Sequence, residues 1–149
     1  MAKFDERNNA EYALALSATL SGTTPAKGGI IDMQGFEAVT FSVSTGTVTD
    51  AGTASGFGYE VQESDTTADA DFTAVADADL VGLESTLTVT SNDDDNVIVG
   101  SIGYVGSKRY TRIVATGTTG TNAYTAAHAT KRRGAVQGTA TNQAAIAAT

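Results

Sequence analysis

Cysteine and tryptophan are absent from this chain, and proline and histidine occur once each in 149 residues. Without cysteine there is no disulfide framework, no thiol nucleophile and no thiolate metal ligand, which suits a reducing cytosol. With His128 as the only imidazole, a Ser-His-Asp constellation would rest on one residue, and zinc has no ligand set. His128 sits among alanines and is read as structural. Aromatic residues are scarce, five Phe and five Tyr, and the apolar fraction leans on alanine. Such a composition makes a thin core, of two layers rather than a thick globule. No apolar run approaches the ~20 residues of a membrane-spanning helix. The opening MAKFDERNNAEY is charged where a signal peptide would be apolar. Positive charge is also short, with nine Lys and Arg against 17 Asp and Glu, a net charge of -8. An acidic surface repels phosphate backbones and argues against a nucleic-acid partner. It favours solubility at high local concentration.

What is present is Thr, Ala, Gly and Ser in short alternating runs. Residues 1–10 read as a solvated arm. Tyr12, Leu14 and Leu16 alternate with small residues, so a strand is expected over Glu11–Ala18, with an Ala/Leu helix as its rival. Ser21–Gly29 is a loop, Ile30 and Ile31 open a short extended piece, and Met33-Gln34-Gly35 turns the chain. Phe36–Ser44 is the cleanest strand, with Val39, Phe41 and Val43 on one face. Thr45–Gly56 reads as a loop with an uncertain strand at Thr47-Val48-Thr49.

Gly58–Gly82 reads as one β-hairpin. Tyr59 and Val61 alternate with Glu60 and Gln62, Glu63–Thr67 turns, and Phe72–Val75 and Asp79–Val81 resume extended chain. Further strands are expected at Ser85–Thr90, Val97–Tyr104, Arg109–Thr116 and Asn122–Ala129. The Arg109–Thr116 strand carries apolar residues on both faces and should be central. Seven to nine short strands at this spacing predict an all-β fold, an antiparallel β-sandwich or jelly-roll-like domain over residues 11–130. The extended N-terminal arm precedes it, and a flexible C-terminal tail, residues 131–149, follows it. That tail is too poor in bulk to fold alone.

Chemistry-bearing clusters are few. Asp65, Asp69, Asp71, Asp77 and Asp79, and then Asp93, Asp94 and Asp95, could hold calcium or act as glycosidase-type carboxylates. No EF-hand glycine or distal glutamate accompanies them, so solvated turns are the preferred reading. Gly100, Gly103 and Gly106 lack the spacing and the following helix of a phosphate-binding loop. Lys131-Arg132-Arg133 is a basic run that would contact an acidic partner or a neighbouring subunit, or simply be solvated. These readings imply no cofactor, no metal and no catalysis.

Several stretches together carry a family resemblance. They are Arg7-Asn8-Asn9-Ala10; Met33-Gln34-Gly35-Phe36-Glu37-Ala38-Val39-Thr40-Phe41; and Val61-Gln62-Glu63-Ser64-Asp65. Phe72-Thr73-Ala74-Val75 with Ala78-Asp79-Leu80-Val81-Gly82 follows, and then Ile102-Gly103-Tyr104-Val105-Gly106-Ser107-Lys108-Arg109-Tyr110. Across residues 7–130 this set resembles small virion proteins that tailed bacteriophages encode near their capsid genes. The Ala/Thr-rich ending departs from that pattern. The resemblance implies a capsid decoration (cement) protein, assembled in the bacterial host cytoplasm and located on the virion surface. Its partners would be the major capsid protein and copies of itself. Phe4, Arg7, Asn8, Lys131, Arg132 and Arg133 are the contact residues expected on its two ends. The alternatives are a head–tail connector, tail or head-fibre component, or a carbohydrate- or calcium-binding module.

Overall fold

The computed structural model describes residues 10–132. Period-2 alternation builds eleven strands: β1 (Ala10–Ser21), β2 (Ala26–Lys27), β3 (Ile31–Asp32), β4 (Ala38–Asp50), β5 (Phe57–Ser64), β6 (Thr73–Ala74), β7 (Leu80–Val81), β8 (Thr88–Val89), β9 (Ile98–Tyr104), β10 (Tyr110–Thr116) and β11 (Asn122–Arg132). Three single 3-10 turns, at Asp69–Asp71, Asp77–Asp79 and Glu84–Thr86, complete the regular structure, and no α-helix occurs among the described residues. The described residues are all-β, as the alternation predicts.

Two antiparallel sheets form. The first runs β1-β11-β4-β9-β7, and the second runs β2-β10-β5-β6, with β3 also on β10 and β8 also on β5. Their inward side chains share one core. Phe41, Val43, Ile102 and Tyr104 come from the first sheet, and Phe57, Tyr59, Val61 and Ile113 from the second. Ala123, Ala127 and Ala129 line the inner side of β11. Small residues there make room for the aromatic rings opposite, which is how a chain with few large side chains still fills its interior. The Tyr59 hydroxyl lies 2.8 Å from Thr125 Oγ1 and ties the sheets together. Burial pushes its pKa up to about 12, against a smaller opposing effect of the Thr125 bond.

Bulges set which residues face out. In β1 the register with β11 slips between Leu14 and Leu16, leaving Ala15 as the extra residue. Leu14 is therefore exposed while Leu16 and Leu20 are buried. One inserted residue reverses the parity of everything beyond it. Further irregularities interrupt β4 opposite Tyr124 and again beside Asp50.

Besides the short strand β2 inside the expected loop Ser21–Gly29, the structure departs from the sequence reading in four places. First, Thr45–Asp50 continues β4 rather than forming a loop, because the bulges let Thr45 and Val48 point inward. Second, Gly58–Gly82 is not one hairpin. β5 pairs with β6, but β7 crosses to the first sheet and pairs with β9. The Asp77–Asp79 turn redirects the chain, and the Asp79 carbonyl accepts from Val105 N–H at 2.9 Å. Third, Ser85–Thr90 is a 3-10 turn followed by only two strand residues. Fourth, Lys131 and Arg132 belong to β11 and not to a tail. The alternation of Ala127 and Ala129 carries on to Lys131, which is buried. β10 is central in the second sheet, flanked by β2 and β3 on one side and β5 on the other.

Candidate interaction surface

Three stretches that carry the family resemblance meet in space. Met33, Gln34, Phe36 and Glu37, then Asp65, then Gly106–Arg109 line one depression of about 510 Å3. Its side chains are tied to one another. Arg109 grips the Asp32 carboxylate through Nε and Nη2, at 3.2 and 2.9 Å, and Gln34 Oε1 at 2.8 Å. That guanidinium holds the Asp32 carboxyl below the ordinary carboxylate range, against a smaller opposing effect of burial. Lys108 pairs with Asp65, which raises the lysine. The buried Tyr104 hydroxyl donates to Glu63 at 2.7 Å and accepts from Lys108 N–H at 3.0 Å. Burial, and then Glu63, drives its pKa upward. This is a knot joining the two sheets. It pairs no nucleophile with a base.

Lys131 belongs to the same corner. Its ammonium lies 2.7 Å from Glu11, 3.2 Å from the Asp32 carbonyl and 4.4 Å over the Phe36 ring. With a side chain only 9% exposed, it is engaged within the fold rather than offered to a partner. Arg132 is exposed at the end of β11. Phe4, Arg7, Asn8 and Arg133 lie outside the described residues.

The acidic stretches are absorbed locally. Asp69 takes Lys27 and Arg112, both of which lower its pKa, and Asp71 accepts from Thr66 Oγ1. Asp95 accepts from Val48 N–H, and Asn92 Oδ1 accepts from Ala51 N–H at 2.7 Å. Among the described residues no group of three or more His, Asp or Glu side chains is placed to hold a metal ion.

The two sheets differ in how their outer faces are covered. On the second sheet, Arg112 and Val114 point outward yet are buried, along with Phe72. The acidic segment 65–72 lies over Arg112. Arg112 Nε donates to Gln62 Oε1 at 2.9 Å, its Nη1 reaches Asp69, and its guanidinium stands 4.1 Å above the Phe72 ring. The first sheet has no such cover among the described residues.

The cross-strand register assembles that open face row by row. Tyr12, Thr130, Thr40, Gly103 and Val81 form one row, and Leu14, His128, Ser42 and Ser101 the next. Ser17, Ala126, Ser44 and Ile98 make the third. Tyr124 then lies against Gly46, whose hypothetical Cβ would sit 2.7 Å from the ring, and its hydroxyl bonds to Ser17. The ring thus spans β1, β11 and β4. No Asp, Glu, Lys or Arg occurs in these rows, in a chain of net charge -8. Charged residues enter only at the ends, Arg132 opposite Ala10 and Asp50 opposite Asn122. Large apolar side chains stand in solvent here, with Leu14 61% and Ile98 82% exposed. An uncharged, partly apolar sheet face of this extent is a kind of surface on which protein contacts form.

Sequence reasoning missed this face. Tyr12, Leu14 and Leu16 alternate with small residues as one set, and only the bulge at Ala15 separates them. The signal was the lack of any Lys or Glu at alternate positions of β1, β4 and β11. Comparison with family models, with curated proteins and with solved structures found no match.

Proposed function

We propose that this protein is a non-catalytic structural component of a tailed-phage virion that binds the outside of the capsid and stabilises it. In this reading the two antiparallel sheets form a β-sandwich with extended arms at both ends. The observation that carries the reading is the uncharged outer face of the first sheet. A decoration protein needs a broad contact surface, solubility at high copy number and no active site. Among the described residues no acidic side chain stands in the rows of that face. The family resemblance supplies the virion, and the partners are the major capsid protein and further copies of this chain. Phe4, Arg7, Asn8, Arg132 and Arg133 remain proposed contacts at the two ends, whereas Lys131 is assigned to the fold.

The test is copy number and occupancy. Purified virions, or expanded shells mixed with the protein, should carry hundreds of copies per particle by quantitative gel or cryo-EM. About a dozen or fewer would assign the chain to a connector, tail or fibre instead. No binding to shells at saturating protein would remove the virion reading.

A further inference from the structure

We infer that the outer face of the first sheet is a self-association surface, packing face to face against the same face of a second copy. This names a second copy of the chain as the occupant of that face, so that contact with the capsid falls to the two ends, and it does not depend on the virion assignment. The argument is electrostatic. Two copies of a chain with net charge -8 repel on approach, and most faces would bring carboxylates together. The rows from Tyr12 to Tyr124 are a surface where two copies can meet without burying an unpaired charge. A foreign acidic or basic partner would gain nothing from a neutral face, but an identical neutral face is complementary to it in hydrogen bonding and apolar contact. Ser, Thr and His128 supply donors and acceptors, while Leu14, Ile98 and Tyr12 supply apolar area.

The size is sufficient. Four strands about 4.8 Å apart and about nine residues long at about 3.3 Å each give roughly 500–600 Å2 per copy. A pair would bury roughly 1,000–1,200 Å2, the lower end of specific interfaces. The ends of the face carry opposite charges, Arg132 at one and Asp50 at the other. A twofold axis running across the strands, in the plane of the contact, brings unlike ends together. An axis along the strands would bring like ends together.

Sedimentation velocity on the full chain from about 5 to 500 µM tests this, a range that covers weak association through an interface at the lower end of specific sizes. A monomer–dimer equilibrium should appear, and raising salt from low to about 0.5 M should tighten it about tenfold or more, because salt screens repulsion between acidic bodies. Leu14→Lys and Ile98→Lys, both at exposed positions, should abolish the dimer while leaving the melting temperature within a few degrees. Since the chain has no cysteine, Ser42→Cys places a unique thiol near the centre of the face. It should cross-link to a dimer with a short bis-maleimide, whereas Thr67→Cys on the loop over the second sheet should not. A monomer at 500 µM in high salt, or equal cross-linking from both thiols, overturns the inference. If the chain is monomeric and Leu14→Lys loses shell binding, the face belongs to the capsid contact: self-association is then refuted and the proposed function stands. If dimers form and shells are not bound, the proposed function fails and self-association stands.

Discussion

Replacing Arg112 by alanine should release the acidic segment 65–72 from the second sheet before it unfolds the domain. Arg112 sits in central strand β10 with its side chain 6% exposed, although it points away from the core. Three contacts hold it: Gln62 Oε1 at 2.9 Å, the Phe72 ring at 4.1 Å and Asp69. A hydrogen bond from a charged donor contributes about 1.5–3 kcal/mol, and a desolvated cation–π contact about 2 kcal/mol. Asp69 is water-exposed, so it rehydrates when its partner leaves and is assigned nothing in the sum. Against the gross gain stands the hydration that arginine gave up on burial, recovered when it is removed. Alanine also strips the alkyl stem from Phe72 and leaves the half-buried Gln62 oxygen unpaired. The balance is about 2–3 kcal/mol for Arg112→Ala, or roughly 10 °C in melting temperature for a domain of this size. Arg112→Met keeps the stem and should cost about 1 kcal/mol.

Urea denaturation of both variants gives the free energies, and amide exchange gives the location. Protection should fall first at Thr66–Phe72 and remain high in β10 and β5. Two results would refute the reasoning. One is an alanine variant within about 0.5 kcal/mol of the parent, which would mean the cation contributes no net stability. The other is exchange that rises uniformly, which would place Arg112 in the global core.

Three further outcomes are expected. Glu84 fills the gap between β6 and β8 along the edge of β5, accepting Val61 N–H at 2.6 Å. Burial raises its pKa, and the Val61 bond opposes this. A carboxyl raised on folding stabilises fully below its unfolded value and loses that contribution as pH rises through the folded value. Glu84→Gln should therefore melt higher than the parent at pH 7, and the advantage should vanish below about pH 4. Glu84→Ala should cost about 1–3 kcal/mol at either pH by orphaning the Val61 amide. Gly56→Ala should destabilise by about 2 kcal/mol or more, because φ is +65° there and a Cβ would meet the Val89 carbonyl at 1.9 Å; equal denaturant midpoints would contradict the geometry. Lys131→Ala should lose about 2 kcal/mol of stability while its folded fraction binds shells with unchanged affinity, measured by co-sedimentation.

The strand content was legible because it rests on alternation, and β4, β9, β10 and β11 begin within two residues of their expected positions. What alternation cannot report is parity across a bulge. Tyr12, Leu14 and Leu16 look equivalent in sequence, yet the extra residue Ala15 sends two outward and one inward. The same limit hid the second half of β4, where Gly46 reads as a loop signal but serves a bulge under Tyr124. Lys131 was misplaced because charge was taken as a sign of exposure. Its burial depends on Glu11 and Phe36, 120 and 95 positions away, and no local pattern encodes that. The depression was partly legible, since the stretches that line it were already grouped by resemblance. Their convergence is a matter of topology: β3 and β5 flank β10 on opposite sides.

The contrast between the two outer faces is what turns this fold into an argument about function. Stability alone would not produce it. Exposed positions on a sheet tolerate Lys and Glu at little cost, and a long edge strand such as β1 is safer with charge, which discourages unwanted pairing. This chain has 26 charged side chains in all, and none of those among the described residues stands in the rows from Tyr12 to Tyr124. It leaves Leu14 and Ile98 in solvent on the first sheet. A free monomer gains nothing from that arrangement and bears an aggregation hazard. In the reading proposed above the face is covered when the protein works, and a neutral face on an acidic body is covered most readily by another neutral face.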